Sequence, residues 1–121
     1  MNEIMTKEEA EKFVSGKYDT ELLDYLVSCS LARQRQILTE DDYKHISHCL
    51  KSLVADLFGF YPAGDLQPIL RNDLFWAVGA CDDTNILALN LYIKFLHNKV
   101  PAELLMGKEK EVNNGIHTLL V

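Results

Sequence analysis

The chain has 121 residues, of which 48% are hydrophobic and 25% charged, and its formal net charge is −6. This apolar content suits a folded domain and excludes disorder of the whole chain, because enough nonpolar surface is available to offset the entropy of ordering. The negative charge argues against nucleic acid and anionic membrane surfaces as direct partners, whereas basic proteins remain candidate partners.

The cysteines Cys29, Cys49 and Cys81 are widely spaced and form no Cys-x-x-Cys pair. Unpaired cysteines behave as small hydrophobic residues and suit a reducing compartment. The N-terminal stretch MNEIMTKEEAEKF lacks the apolar core of a signal peptide, and the apolar stretches are shorter than a membrane span. We therefore expect a soluble, cytoplasmic protein.

The first two helices are predicted from their end signals. Thr6 and Glu9 have the spacing of a capping box, and Gly16 stands where a short first helix would end. Asp19 or Thr20 can cap a second helix, whose leucines form an apolar face.

The second helix is predicted to fade within residues 31–38, LARQRQIL. Thr39 and Asp42 then open a third helix, which Gly59 closes. The following segment FYPAGD contains a proline and a glycine, so it is predicted to be a loop.

Two strongly apolar helices are predicted next, over residues 66–80 and 84–97, with Asp65 as the cap of the first. Both carry apolar side chains around most of their circumference, which is typical of helices that are packed on several sides. They are predicted to form a central hairpin wrapped by the first three helices. Pro101 begins a short sixth helix, and IHTLLV at 116–121 forms either a short strand or an apolar tail.

The chain shows no repeat at solenoid periods and little alternation of apolar and polar residues before the last segment. The sequence therefore predicts a single all-α domain over residues 1–121, built as a bundle of five or six helices.

The heptapeptide YKHISHC places two imidazoles and a thiol on the third helix. His45 lies roughly 130° from the centre of the apolar face and His48 nearly opposite it, whereas Cys49 leans toward the core, so the three should not converge. Asp41, His45 and His48 have i, i+4, i+7 spacing and form a weak metal candidate that lacks a further ligand. We expect a solvated face without metal or cofactor, in which Asp41 supports His45 across one turn.

A second polar stripe, Asn90, Lys94 and His97, crosses the fifth helix. It is either the solvent-facing edge of that helix or the lining of a pocket with an anion ligand and an acid–base group. An enzyme or small-ligand protein would use this stripe or the three residues of the metal candidate. No constellation pairs a nucleophile with an activating base, which favours a binding protein over an enzyme.

The leading hypothesis is therefore a non-enzymatic protein-binding domain, most concretely an immunity-like or antitoxin-like inhibitor of a basic partner such as a nuclease toxin. A helical scaffold or accessory subunit, including a homodimer, is the alternative. Phe60 and Tyr61 either anchor a partner or fold back to close the bundle. The predicted partner contacts are Glu40, Asp41, Asp42, Phe60, Tyr61, Asp65, Asp82 and Asp83.

Overall fold

The computed structural model describes residues 4–16 and 20–108. Its helices are α1 Lys7–Ser15, α2 Thr20–Cys29, α3 Ala32–Ile37, α4 Glu40–Leu57, α5 Gln67–Leu70, α6 Leu74–Ala80, α7 Asp83–Leu87 and α8 Leu89–Lys99, with a 3₁₀ turn at Gly64–Leu66. A last helical stretch, α9, covers 102–108. The all-α class is confirmed, but the predicted number of five or six helices is too low. Both predicted core helices are interrupted, and residues 31–38, where the second helix was predicted to fade, contain the additional helix α3.

Local end signals place the starts of α1 and α4 correctly. The Thr6 hydroxyl accepts from the Glu9 N–H and the Glu9 carboxylate from the Thr6 N–H, both at 3.2 Å. Thr39 and Asp42 make the same reciprocal pair at the start of α4, at 3.1 and 2.9 Å. Just beyond α4, Gly59 adopts φ 80°, a left-handed conformation that favours glycine and turns the chain away from the helix. These predicted ends are confirmed.

The centre of the molecule is α4, which packs against α1, α2, α5 and α7. Its 18 residues span about 27 Å, and Ile46, Leu50 and Leu53 are fully buried. The prediction that 66–80 and 84–97 form the core is confirmed only in part: Leu91, Tyr92 and Phe95 of the second stretch are almost fully buried, but the two stretches do not form the central element. The sequence pattern of α4 is only amphipathic, because Lys51 and Asp56 interrupt its apolar residues, yet both side chains are buried and hydrogen-bonded.

The first predicted core helix breaks in the middle. Asn72 adopts φ 56°, which asparagine tolerates better than most residues, and the Asp73 carboxylate then caps α6 by accepting from the Trp76 N–H at 3.3 Å. The new direction buries Ala77 but leaves Phe75 79% and Trp76 61% exposed. Thus α6 is a surface helix.

The second predicted core helix is also divided, at Ala88, which ends α7 and precedes α8. Against this junction lies α3, in the stretch predicted to be irregular. The buried Gln34 amide donates to the Leu87 carbonyl at 2.7 Å and to Asn90 Oδ1 at 2.6 Å, and accepts from Asn90 Nδ2 at 3.1 Å. These long-range bonds stabilise α3.

Several further predictions concern the C-terminal part. The predicted short helix after Pro101 is confirmed as α9. The predicted strand or tail at 116–121 lies outside the described residues. In the part of the chain that the structure describes, no helix is long and apolar enough to cross a bilayer.

Candidate functional site

Two acidic clusters that are far apart in sequence meet at one surface. The His45 imidazole contacts the Asp82 carboxylate, with 3.0 Å between Nε2 and Oδ2. This contact joins the first half of α4 to the N-cap of α7, and the two helices pack against each other. We call the resulting surface the acidic patch, defined by Asp41, Asp42, Asp82 and Asp83.

Two members of the acidic patch also cap helices. The Asp82 carboxylate accepts from the Asn85 N–H at 2.8 Å, as predicted for the cap of this helix. A hydrogen bond from the Thr39 backbone N–H holds the pKa of Asp42 below its usual range, and the Thr39 hydroxyl adds to this effect. Asp42 is therefore ionised at neutral pH, and its charge at the helix N-terminus is favourable.

Two predicted contact residues lie outside the acidic patch. The Glu40 carboxylate is 3.7 Å from the Lys44 ammonium, one helical turn further along α4. Asp65 was predicted to cap the fourth helix, which was wrong: it lies inside the 3₁₀ turn, and Ala63 precedes that turn.

The loop aromatics take different positions. Phe60 is half-buried against the core and stacks on Phe58, with ring centroids 6.2 Å apart. Tyr61 is exposed and lines a pocket that also includes His48. Of the two alternatives, Phe60 folds back onto the bundle, and Tyr61 faces a cavity on another side of α4.

The histidine–cysteine stretch differs from its prediction in two respects. His45 contacts Asp82 and not Asp41, because α7 brings a better-placed carboxylate. The Cys49 thiol does meet one imidazole, since its Sγ lies 3.6 Å from His45 Nε2. The prediction of non-convergence was wrong for His45.

This cysteine, histidine and aspartate do not form a nucleophilic triad. In a triad the imidazole uses its two nitrogens for its two partners, whereas here Nε2 faces both the thiol and the Asp82 carboxylate. The carboxylate only accepts, so Nε2 must carry the proton and cannot remove one from Cys49. Burial raises the pKa of the Cys49 thiol, an effect that hydrogen bonds with Asn85 and Tyr92 only partly offset, and a raised pKa disfavours the reactive thiolate.

The enzyme and metal alternatives gain no geometric support. Among the described residues, no group of three or more His, Cys, Asp or Glu side chains is placed to hold a metal ion. The polar stripe on α8 is divided: the Asn90 amide pairs with Gln34, whereas Lys94 and His97 are exposed.

The most conspicuous surface is one that the sequence does not predict. On α6 the Phe75 and Trp76 rings meet edge to face, with centroids 5.6 Å apart and both rings largely in solvent. Val78 is also exposed. On the other side of α6, a small cavity of about 150 Å³ is lined by Ile69, Ala77, Leu89 and Ile93, among others. The signal that could have exposed the error is Asp73, whose cap spacing to Trp76 predicts a new helix start.

The acidic patch follows the C-terminal end of α6, whereas Phe75 and Trp76 lie in the first turn of that helix. Helix α6 ends at Ala80, and Asp82 follows two residues later as the cap of α7. No family model matches this chain, nor does a curated protein or a solved structure. Fold and surface alone therefore define the class: an all-α protein with an exposed aromatic pair on α6 and clustered carboxylates at the starts of α4 and α7.

Proposed function

We propose that this chain is a non-enzymatic protein-binding module that docks onto a basic protein through the face of α6 and the acidic patch. The observation that carries the proposal is the exposure of Phe75 and Trp76 as a contacting pair. Large aromatic side chains dominate the energetics of protein interfaces, and contiguous exposed apolar surface marks interaction sites.

The charge of the surface specifies the chemistry of the partner. The acidic patch follows directly after α6, and the whole chain carries a net charge of −6. Such a field accelerates the approach of a basic surface and selects against acidic ones. The aromatic pair then supplies the buried contact, and the carboxylates form its rim.

An inhibitor of a nucleic-acid-binding enzyme is the most specific form of this proposal. Carboxylates that cluster on a surface can occupy a basic groove in place of phosphates, which suits an immunity-like or antitoxin-like role. A scaffold or accessory subunit would use the same face, but it would form an obligate complex with its partner. The three cysteines are free thiols, which supports a reducing, cytoplasmic location as part of the proposal.

Affinity capture from native lysate with matched baits tests the proposal. The wild-type chain is compared with a Phe75→Ala/Trp76→Ala bait and with Leu31→Ala, an equally exposed apolar residue on another surface. We expect one stoichiometric basic protein on the wild-type and Leu31→Ala baits. The double variant should bind that protein at least about tenfold more weakly, which corresponds to about 1.4 kcal/mol.

The charge contribution is tested with Asp41→Lys/Asp83→Lys, because both residues are exposed and neither is the N-cap of its helix. These changes should slow association with the captured protein and reduce its dependence on salt. Retention of an acidic protein, or equal retention by all baits, would contradict the proposal.

A further inference from the structure

A pocket beside α4 combines cationic and apolar walls. Lys44, Ser47, His48 and Lys51 line it together with Tyr61, and its volume is about 380 Å³. The four residues of α4 have i, i+3, i+4, i+7 spacing, so they lie on one face of the helix. This volume falls within the range of small-molecule sites, about 300–1,000 Å³. We call this cavity the Lys51 pocket.

The charge of the Lys51 pocket is opposite to that of the protein. Two lysines and an imidazole line it, and none of its described lining residues is acidic, although the chain as a whole has a net charge of −6. Lys44 also approaches Glu40 at 3.7 Å, at the edge of the same face. The local field therefore favours an anion.

Lys51 is the residue that points most directly to a ligand. It is only 6% exposed, its ammonium donates to the Gly16 carbonyl at 2.6 Å, and it lies 5.9 Å from the centre of the Phe13 ring. In the described part of the chain, no carboxylate lies within 4 Å of this ammonium. A buried charge without a countercharge is costly, and a bound anion would offset that cost.

The remaining walls suit the organic part of such a ligand. Val14 and Leu23 contribute apolar side chains from α1 and α2, and Tyr61 adds an aromatic ring to the lining. Ser47 and Tyr61 carry hydroxyl groups that can donate to anionic oxygens, and an ammonium has three donors, of which the Gly16 carbonyl takes one.

We propose that the Lys51 pocket binds a small organic anion, with a phosphate or carboxylate group held by Lys51, Lys44 and His48 and a nonpolar group against Val14, Leu23 and Tyr61. Lysine ammoniums act as compact point charges and accept either anion. The site is separate from the proposed protein-binding surface, because none of its described lining residues belongs to α6 or to the acidic patch.

Titrations of the full chain followed by amide NMR at low salt test this inference, with phenyl phosphate, benzoate, inorganic phosphate and benzyl alcohol as probes. We expect saturable shifts around Lys51 and His48 with the aromatic anions, weaker binding of inorganic phosphate, and no binding of the neutral alcohol. The phenyl phosphate and benzoate affinities show whether phosphate or carboxylate is preferred.

Lys44→Gln/His48→Gln is the matched variant, because both residues are exposed. It should weaken the aromatic anions at least about tenfold, an effect of about 1.4 kcal/mol. Lys94→Gln, on α8, should leave their affinity unchanged. If no probe gives saturable shifts, or if both variants weaken binding equally, the inference is overturned.

Discussion

Replacing Trp76 by alanine distinguishes a surface α6 from the core helix that its sequence suggests. A fully buried Phe or Trp costs about 3–5 kcal/mol when truncated to alanine. Because Trp76 is 61% exposed, only the smaller part of that loss applies, and we expect about 1–2 kcal/mol. The matched change is Leu50→Ala, at a residue with 0% exposure in α4, which should cost about 2–5 kcal/mol.

Urea unfolding followed by far-ultraviolet circular dichroism gives both free energies of unfolding. Fluorescence is unsuitable here because Trp76 is the single tryptophan. Phe75→Ala should cost less than Trp76→Ala, since Phe75 is 79% exposed. A loss for Trp76→Ala equal to that for Leu50→Ala would refute the surface position of α6 and the central position of α4.

Three other changes test individual contacts. Burial by itself raises the pKa of Asp56, but hydrogen bonds, with Lys108 foremost, outweigh it and lower that pKa. The ionised Asp56 carboxylate therefore stabilises the fold fully above its unfolded pKa of about 3.9, and this stabilisation is lost as the pH falls through the folded pKa. Asp56→Asn should lower the free energy of unfolding by about 2 kcal/mol at neutral pH. The variant should also show a flatter acid limb in a plot of stability against pH. Asp82→Ala removes the α7 cap and should cost about 1 kcal/mol in urea unfolding. A thiol reagent should modify the buried Cys49 more slowly than the half-buried Cys29 in single-cysteine variants, and equally fast in urea.

Each of these has a contradicting result. An unchanged acid limb in Asp56→Asn would show that other carboxyl groups govern acid unfolding. Full stability of the Asp82 variant would show that α7 does not depend on its cap. Equal labelling of the native cysteines would contradict the burial of Cys49.

Local signals in the sequence predict the helix ends well. The capping boxes at Thr6 and Thr39 and the cap at Asp82 depend on residues three positions apart, so their geometry is contained in a short segment. The all-α class follows from the same periodicity. Asp41 and Asp42 could be named as surface acids because they stand in the first turn of an amphipathic helix.

The arrangement of the helices could not be predicted in the same way. Helical periodicity cannot tell a helix packed on all sides from one whose aromatic face is left in solvent, so Phe75 and Trp76 were placed in the core. The contact of His45 with Asp82 joins residues 37 positions apart, and that of Gln34 with Asn90 joins residues 56 apart. Both depend on how the helices pack, which the local pattern does not encode.

Quenching of the single tryptophan by acrylamide tests most directly whether the fold leaves the Phe75–Trp76 face open to a partner. The full chain is measured over a range of protein concentrations, so that self-association would appear as concentration-dependent protection. We predict that Trp76 is quenched nearly as efficiently as free tryptophan at every concentration, and becomes protected when the captured basic protein is added. Strong protection of Trp76 in the dilute, isolated chain would contradict the account, because the face would then be covered by the chain itself.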